Sequence, residues 1–111
     1  MKKSIAMKWV KALRSGKYKQ TKNRLKDQTG HCCLGVLCTL TPYKNNYTKM
    51  STNFNEFNTL LPNSVKDYVG MKTNNGKFYH IDRVTSLATW NDRGKSFAEI
   101  ADIIEQYWEK L

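Results

Sequence analysis

Between residues 14 and 24 the chain sets Arg14, Tyr18, Gln20, Lys22 and Arg24 within one short stretch. A guanidinium fork pairs two phosphate oxygens where an ammonium offers a point charge. An aromatic plane can stack on a base, and an amide can read a base edge. A second polar-aromatic group, Trp90, Asn91 and Arg93, offers the same kinds of contact. Together these eight residues are the candidate ligand-binding set, for a phosphate-bearing ligand. Plainer roles fit the same residues: a solvated lysine face, caps and loop hydrogen bonds for Arg14 and Gln20, and turn duty for Asn91 beside Asp92.

Gly94-Lys95-Ser96 stands before a helical pattern. A phosphate loop needs glycine five positions before Gly94, where Thr89 stands, so the full motif is absent. What remains is a helix start with Arg93 and Lys95 beside its amide donors, a place where an anion is welcome. Ordinary capping with solvated basic residues explains it better.

Cys32, Cys33 and Cys38 lie in the run Cys32-Cys33-Leu34-Gly35-Val36-Leu37-Cys38-Thr39-Leu40. With His31 they are ligand types that zinc accepts. However, adjacent cysteines separated from the third by aliphatics lack the polar turns of a zinc knuckle. A cysteine nucleophile with His31 or His80 as base needs an exposed, electropositive thiol. The run reads instead as core, with thiols acting as small hydrophobes. Neither metal nor cofactor is expected, nor an enzyme. An odd number of thiols also leaves no closed disulfide framework, which points to a reducing cytosol.

These residues must be positioned by one domain over residues 1–111, since a chain of 111 residues is sized for a single core. No apolar run approaches the ~18–20 residues of a membrane span. The basic start, broken by Lys8 and Lys11, does not read as an export signal. The net charge is +10, and ten Lys/Arg fall in residues 2–26 before the first carboxylate, Asp27. From Ser96 onward Glu99, Asp102, Glu105 and Glu109 face one Lys110. The basic and acidic ends are complementary, within one subunit or between two. The cationic excess concentrates anions: nucleotides, nucleic acid or an acidic partner surface.

The spacing of Ile5, Trp9 and Leu13 predicts an amphipathic helix over 4–15, capped by Ser4 and ended by Gly16. Arg24–Lys26 and His31–Cys33 around Asp27-Gln28-Thr29-Gly30 predict a hairpin. Leu34–Leu40 reads as a short buried helix, although periodicity alone does not separate it from a strand. Residues 43–60 read as a long loop. Pro62–Val69 reads as a helix closed by Gly70, Asn74-Asn75-Gly76 as a turn, and Lys77–Ile81 as a strand. Val84–Asn91 reads as one or two helical turns. Ser96-Phe97-Ala98-Glu99 is a capping box opening a last helix. The fold class is α+β, a small antiparallel sheet packed with about four short-to-medium helices.

Three blocks carry a resemblance. They are Trp9-Val10-Lys11-Ala12-Leu13-Arg14-Ser15-Gly16-Lys17-Tyr18-Lys19-Gln20, then Cys32-Cys33-Leu34-Gly35-Val36-Leu37-Cys38, then Leu87 to Asp102 with Trp90-Asn91-Asp92-Arg93-Gly94-Lys95-Ser96-Phe97. Together they resemble a family of small phage and prophage proteins. The resemblance implies a viral accessory protein, of a kind that includes counter-defence factors and regulators; it carries over no catalytic residues. With the charge and the aromatics, the expectation is a non-enzymatic protein that sequesters a nucleotide immune signal, a cyclic oligonucleotide or an ADP-ribose-type molecule, in the host cytoplasm. A small chain makes a deep pocket most easily between subunits, so a homo-oligomer is expected. The other two readings are a nucleic-acid-binding phage regulator and a protein inhibitor of a host enzyme.

Overall fold

The first helix, α1 (Lys3–Arg14), buries Ala6, Trp9, Val10 and Leu13 on one side. That side lies against the last helix, α5 (Phe97–Tyr107), and against α2 (Cys33–Thr39). The structure is a computed structural model describing residues 1–43 and 60–111; the loop expected over 43–60 lies outside them except at its ends. Ser4 does not cap α1. The cap position is Lys2, whose amide donates to Val69 O at 2.9 Å and so fixes the start two residues earlier. Gly16, at φ +77°, takes the chain out of the helix in a conformation that side chains avoid.

Helix α2 is apolar on every side and is buried from Cys33 through Cys38, as a helix with no polar face must be. Trp9 Nε1 donates to Cys33 O at 2.9 Å, tying α1 to its first residue. The hairpin expected around Asp27–Gly30 reduces to two isolated bridges, Gln20 with His31 (parallel) and Lys26 with His31 (antiparallel). Cys32 N–H donates to Leu25 O at 3.1 Å and Asp27 N–H to Gly30 O at 2.9 Å on one side, and on the other His31 N–H donates to Lys19 O while Thr21 N–H donates to His31 O, both at 2.8 Å. The Asp27 carboxylate gathers the amides of Thr29 and Gly30 and the hydroxyls of Thr21 and Thr29. Gly30 passes so close to Lys19 that an added Cβ would meet its carbonyl oxygen at 2.1 Å.

Helix α3 (Asn63–Val69) buries Val65 and Val69 and ends at the left-handed Gly70. The expected strand is β1 (Lys77–His80). The helix expected from Val84 begins later. Residues Arg83–Ser86 form β2, antiparallel to β1, and α4 spans only Leu87–Asp92. Burial decides this: Phe78 anchors the hairpin on α4 and α5 through ring contacts with Trp90 (5.8 Å) and Tyr107 (5.5 Å). Ser86 then caps α4 by accepting from Thr89 N–H. The capping box opens α5 as expected, with Ser96 and Glu99 satisfying each other's amides. Five helices and a two-stranded antiparallel sheet among the described residues make a small α+β fold. One core joins α1, α2, α4 and α5 with Leu25, Val65 and Phe78. No helix among the described residues is long and apolar enough to cross a membrane.

Candidate anion-binding surface

The structure brings the segment 18–24 against α4 and the turn that follows it. Gln20 Nε2 donates to Asn91 Oδ1 at 2.9 Å and to Lys95 O at 2.7 Å. Asn23, in the left-handed region at φ +67°, donates its amide to Asp92 Oδ1 at 2.8 Å. A Cβ at Gly94 would meet Lys22 Nζ at 3.6 Å. The Lys22 ammonium therefore lies beside Gly94, which Arg93 and Lys95 flank in the chain, and all three cations are exposed.

Several expected ligand groups serve the fold instead. Asn91 is fully buried: its Oδ1 accepts from Cys33 N–H at 3.0 Å, and its Nδ2 donates to Thr21 O at 2.8 Å. No edge of this amide faces solvent, so it is a joint rather than a base reader. Arg14 splits its fork between Asp102 (2.7 Å) and Glu105 (2.6 Å) on α5. The two carboxylates raise its pKa by hydrogen bonding. The complementarity of the basic and acidic ends is met here within one subunit, and the fork expected for phosphate is held by carboxylates. Tyr18 is half-buried, with its hydroxyl 3.2 Å from Thr39 Oγ1 and its ring edge-on to His31 at 5.3 Å. Arg24 is half-buried and engaged with a neighbour.

Trp90 lies in an aromatic cluster with Phe78 and His80, and Lys95 Nζ sits 5.4 Å from its ring centroid. Lys95 also reaches Glu99 at 3.5 Å. The sequence named Lys95 only as a neighbour of a helix start; its place over Trp90 follows from the turn after α4, in which Lys95 N–H donates to Trp90 O at 3.0 Å.

The three thiols are free and buried. Burial pushes Cys32 up to about 11, and raises Cys33 and Cys38 as well. Protonated and enclosed, they lack the character of a nucleophile. Among the described residues no three His, Cys, Asp or Glu side chains gather as metal ligands would.

The family model described as Domain of unknown function (DUF8296) matches residues 1–108. The chain belongs to this family. No curated protein and no solved structure matches it. The exposed Lys22 and Arg93 can hold phosphate oxygens, with Lys95, shared with Glu99 and the Trp90 ring, and Arg24 on the same two segments.

Proposed function

We propose that the protein is a non-enzymatic binder of phosphate-rich ligands. Its ligand is a nucleotide immune signal of the cyclic-oligonucleotide or ADP-ribose type, sequestered in the cytoplasm of a phage's host. The observation that carries the reading is the Lys22 ammonium beside Gly94, which the exposed Arg93 and Lys95 flank in the chain. Polar bonds from Gln20 and Asn23 to the α4–α5 turn hold the two strips of chain together. Exposed cations are screened and each contributes little alone. Tight sequestration then calls for two copies closing on one ligand, which multiplies weak contacts and suits a symmetric homo-oligomer.

A nucleic-acid-binding regulator is the second reading, favoured by the exposed Lys17 and Lys19 that extend the same strip. Phosphate contacts along a duplex release counterions, so that reading requires a steep dependence on salt.

One experiment separates them. The purified protein is denatured and the released small molecules analysed; it is then titrated calorimetrically with a cyclic dinucleotide, ADP-ribose and duplex DNA at two salt concentrations. Nucleotide binding that falls at least tenfold in Lys22→Glu/Arg93→Glu, and survives in Arg14→Ala, is the expected result. Salt-steep duplex binding without nucleotide binding replaces the first reading by the second. Nucleotide affinity unchanged by the double reversal refutes the site.

A further inference from the structure

The inner face of the β1–β2 hairpin sets Phe78 and His80 on one strand opposite Thr85 and Arg83 on the other. Phe78 is buried, His80 is half-buried and Arg83 is exposed. Three rings meet the His80 imidazole edge-on: Trp90 at 5.1 Å, and Phe78 and Tyr107 at 6.0 Å. Its Nδ1 is buried there without a hydrogen-bond partner. A polar atom stranded inside is costly and rare in a native fold, and a phenyl ring would pack against the same three rings without it. The packing therefore explains a ring at this position, but not an imidazole. What remains is Nε2, which is neither buried nor bonded among the described residues. The same holds for the Trp90 indole N–H and the Tyr107 hydroxyl, whose rings are half-buried. One aromatic cluster thus leaves three polar tips open, a combination that ligand sites share.

The charges around this cluster balance. Arg83 and Lys95 stand against Asp82 in the turn and Glu99, which lies 3.5 Å from Lys95. The patch therefore does not call for a phosphate. Rings with hydrogen-bonding tips suit a neutral planar heterocycle that carries its own rim of donors and acceptors, which is the chemistry of a nucleobase. We infer that His80, Trp90 and Tyr107 hold the base of the nucleotide whose phosphates Lys22 and Arg93 take, which rests on the nucleotide reading above and extends it. The base packs on the half-buried rings. His80 Nε2 and the indole N–H bond its edge, and the Arg83 fork, cross-strand from His80, pairs with two edge atoms at once. Lys95 joins the two ends of the site: its Nζ lies 5.4 Å from the Trp90 ring centroid, and it follows Gly94, beside which the Lys22 ammonium lies. An apolar side chain of a protein partner would cover the rings but strand their polar tips, which disfavours a peptide here.

The test uses the full chain, isotopically labelled so that the indole N–H signals of its three tryptophans are seen by NMR, with Trp90→Phe to assign them. It is titrated with adenosine, guanosine and cytidine, with their monophosphates, and with inorganic pyrophosphate. The Trp90 signal should move with a nucleoside and with its monophosphate, and stay in place with pyrophosphate. By calorimetry the monophosphate affinity should fall roughly tenfold or more in His80→Phe and in Arg83→Ala, while pyrophosphate affinity stays within about twofold of wild type. His80→Phe keeps the ring and removes the stranded nitrogen, so it should melt no lower than wild type. A Trp90 signal that no nucleoside or monophosphate moves, or monophosphate affinity unchanged in His80→Phe and Arg83→Ala, would overturn the base site. If Lys22→Glu/Arg93→Glu still abolishes binding of the monophosphate, the phosphate reading survives that loss. Conversely, a Trp90 signal moved by nucleosides, with no affinity gained from the phosphate, upholds the base site and overturns the phosphate reading.

Discussion

Replacing Asn91 by alanine should damage the fold far more than any ligand contact. Two backbone groups in the interior lose their partner: the Cys33 amide at 3.0 Å and the Thr21 carbonyl at 2.8 Å. Each stranded buried group costs about 1–3 kcal/mol, so the sum is ~2–6 kcal/mol. Domains of this size have about 5–15 kcal/mol in total, so a large share of the stability goes. Gln20→Ala serves as the control, since it removes an exposed side chain and leaves both buried groups paired; its cost should stay near ~1 kcal/mol.

Asn91→Asp is the sharper variant. It keeps the shape and both acceptor contacts, yet sets an oxygen against Thr21 O where an N–H stood. Burial and the facing carbonyl both favour the protonated acid, which can donate to that carbonyl. A carboxyl whose folded pKa is raised makes the fold more stable as pH falls toward that value. Urea midpoints followed by tryptophan fluorescence should therefore rise for Asn91→Asp between pH 7.5 and 5.5 relative to wild type. The reasoning fails if Asn91→Ala costs under ~1 kcal/mol, or if Asn91→Asp matches wild type at neutral pH.

Two further outcomes follow from the same packing. Cys33→Ala and Cys38→Ala should each cost about 1 kcal/mol, as removal of one small buried group does. In the native protein the buried thiols should react with a thiol reagent only as fast as the chain opens; rapid stoichiometric labelling would refute their enclosure. For pH, hydrogen bonds from Thr21 and Thr29 hold Asp27 below its ordinary 3.8. Its contribution is present above ~pH 4 and disappears as pH falls through the lowered value. Burial and Lys26 lower His31 from 6.5, so the folded state favours the neutral ring and loses stability as pH drops below ~6.5. Denaturant midpoints against pH should show both steps, with His31→Gln removing the upper and Asp27→Asn the lower.

The elements with strong local signals were legible in the sequence. The stripe of α1, the Gly16 and Gly70 ends and the Ser96–Glu99 box depend on residues within a turn or two of each other. The apolar run of α2 gave its burial at once but not its helicity. What was not legible depends on partners far along the chain. Ser4 is a good cap by type, but Val69 O takes the Lys2 amide and starts α1 earlier. Arg24–Lys26 pairs with His31 through a single bridge, and nothing local says that residues 19–21 pair with the other edge of His31. Residues 84–86 looked helical because nothing nearby says that Phe78 will need a second strand above α4.

The candidate site follows the same rule in a more instructive way. Gln20 and Asn91 were grouped by type, as amides able to read a base, and the structure does bring them into contact across 71 residues of sequence. Polar side chains that converge in a small domain first satisfy each other and the buried backbone, because an unpaired group inside costs more than a solvated one. Arg14 shows it on the surface: the carboxylates that sequence placed at the far end of the chain lie next to it. On the proposed function, the groups left for a ligand are exposed cations such as Lys22 and Arg93, on segments that Gln20, Asn23 and Asn91 hold in place. Binding and scaffold therefore divide between neighbouring residues, which is why Arg93→Glu should test the first and Asn91→Ala the second.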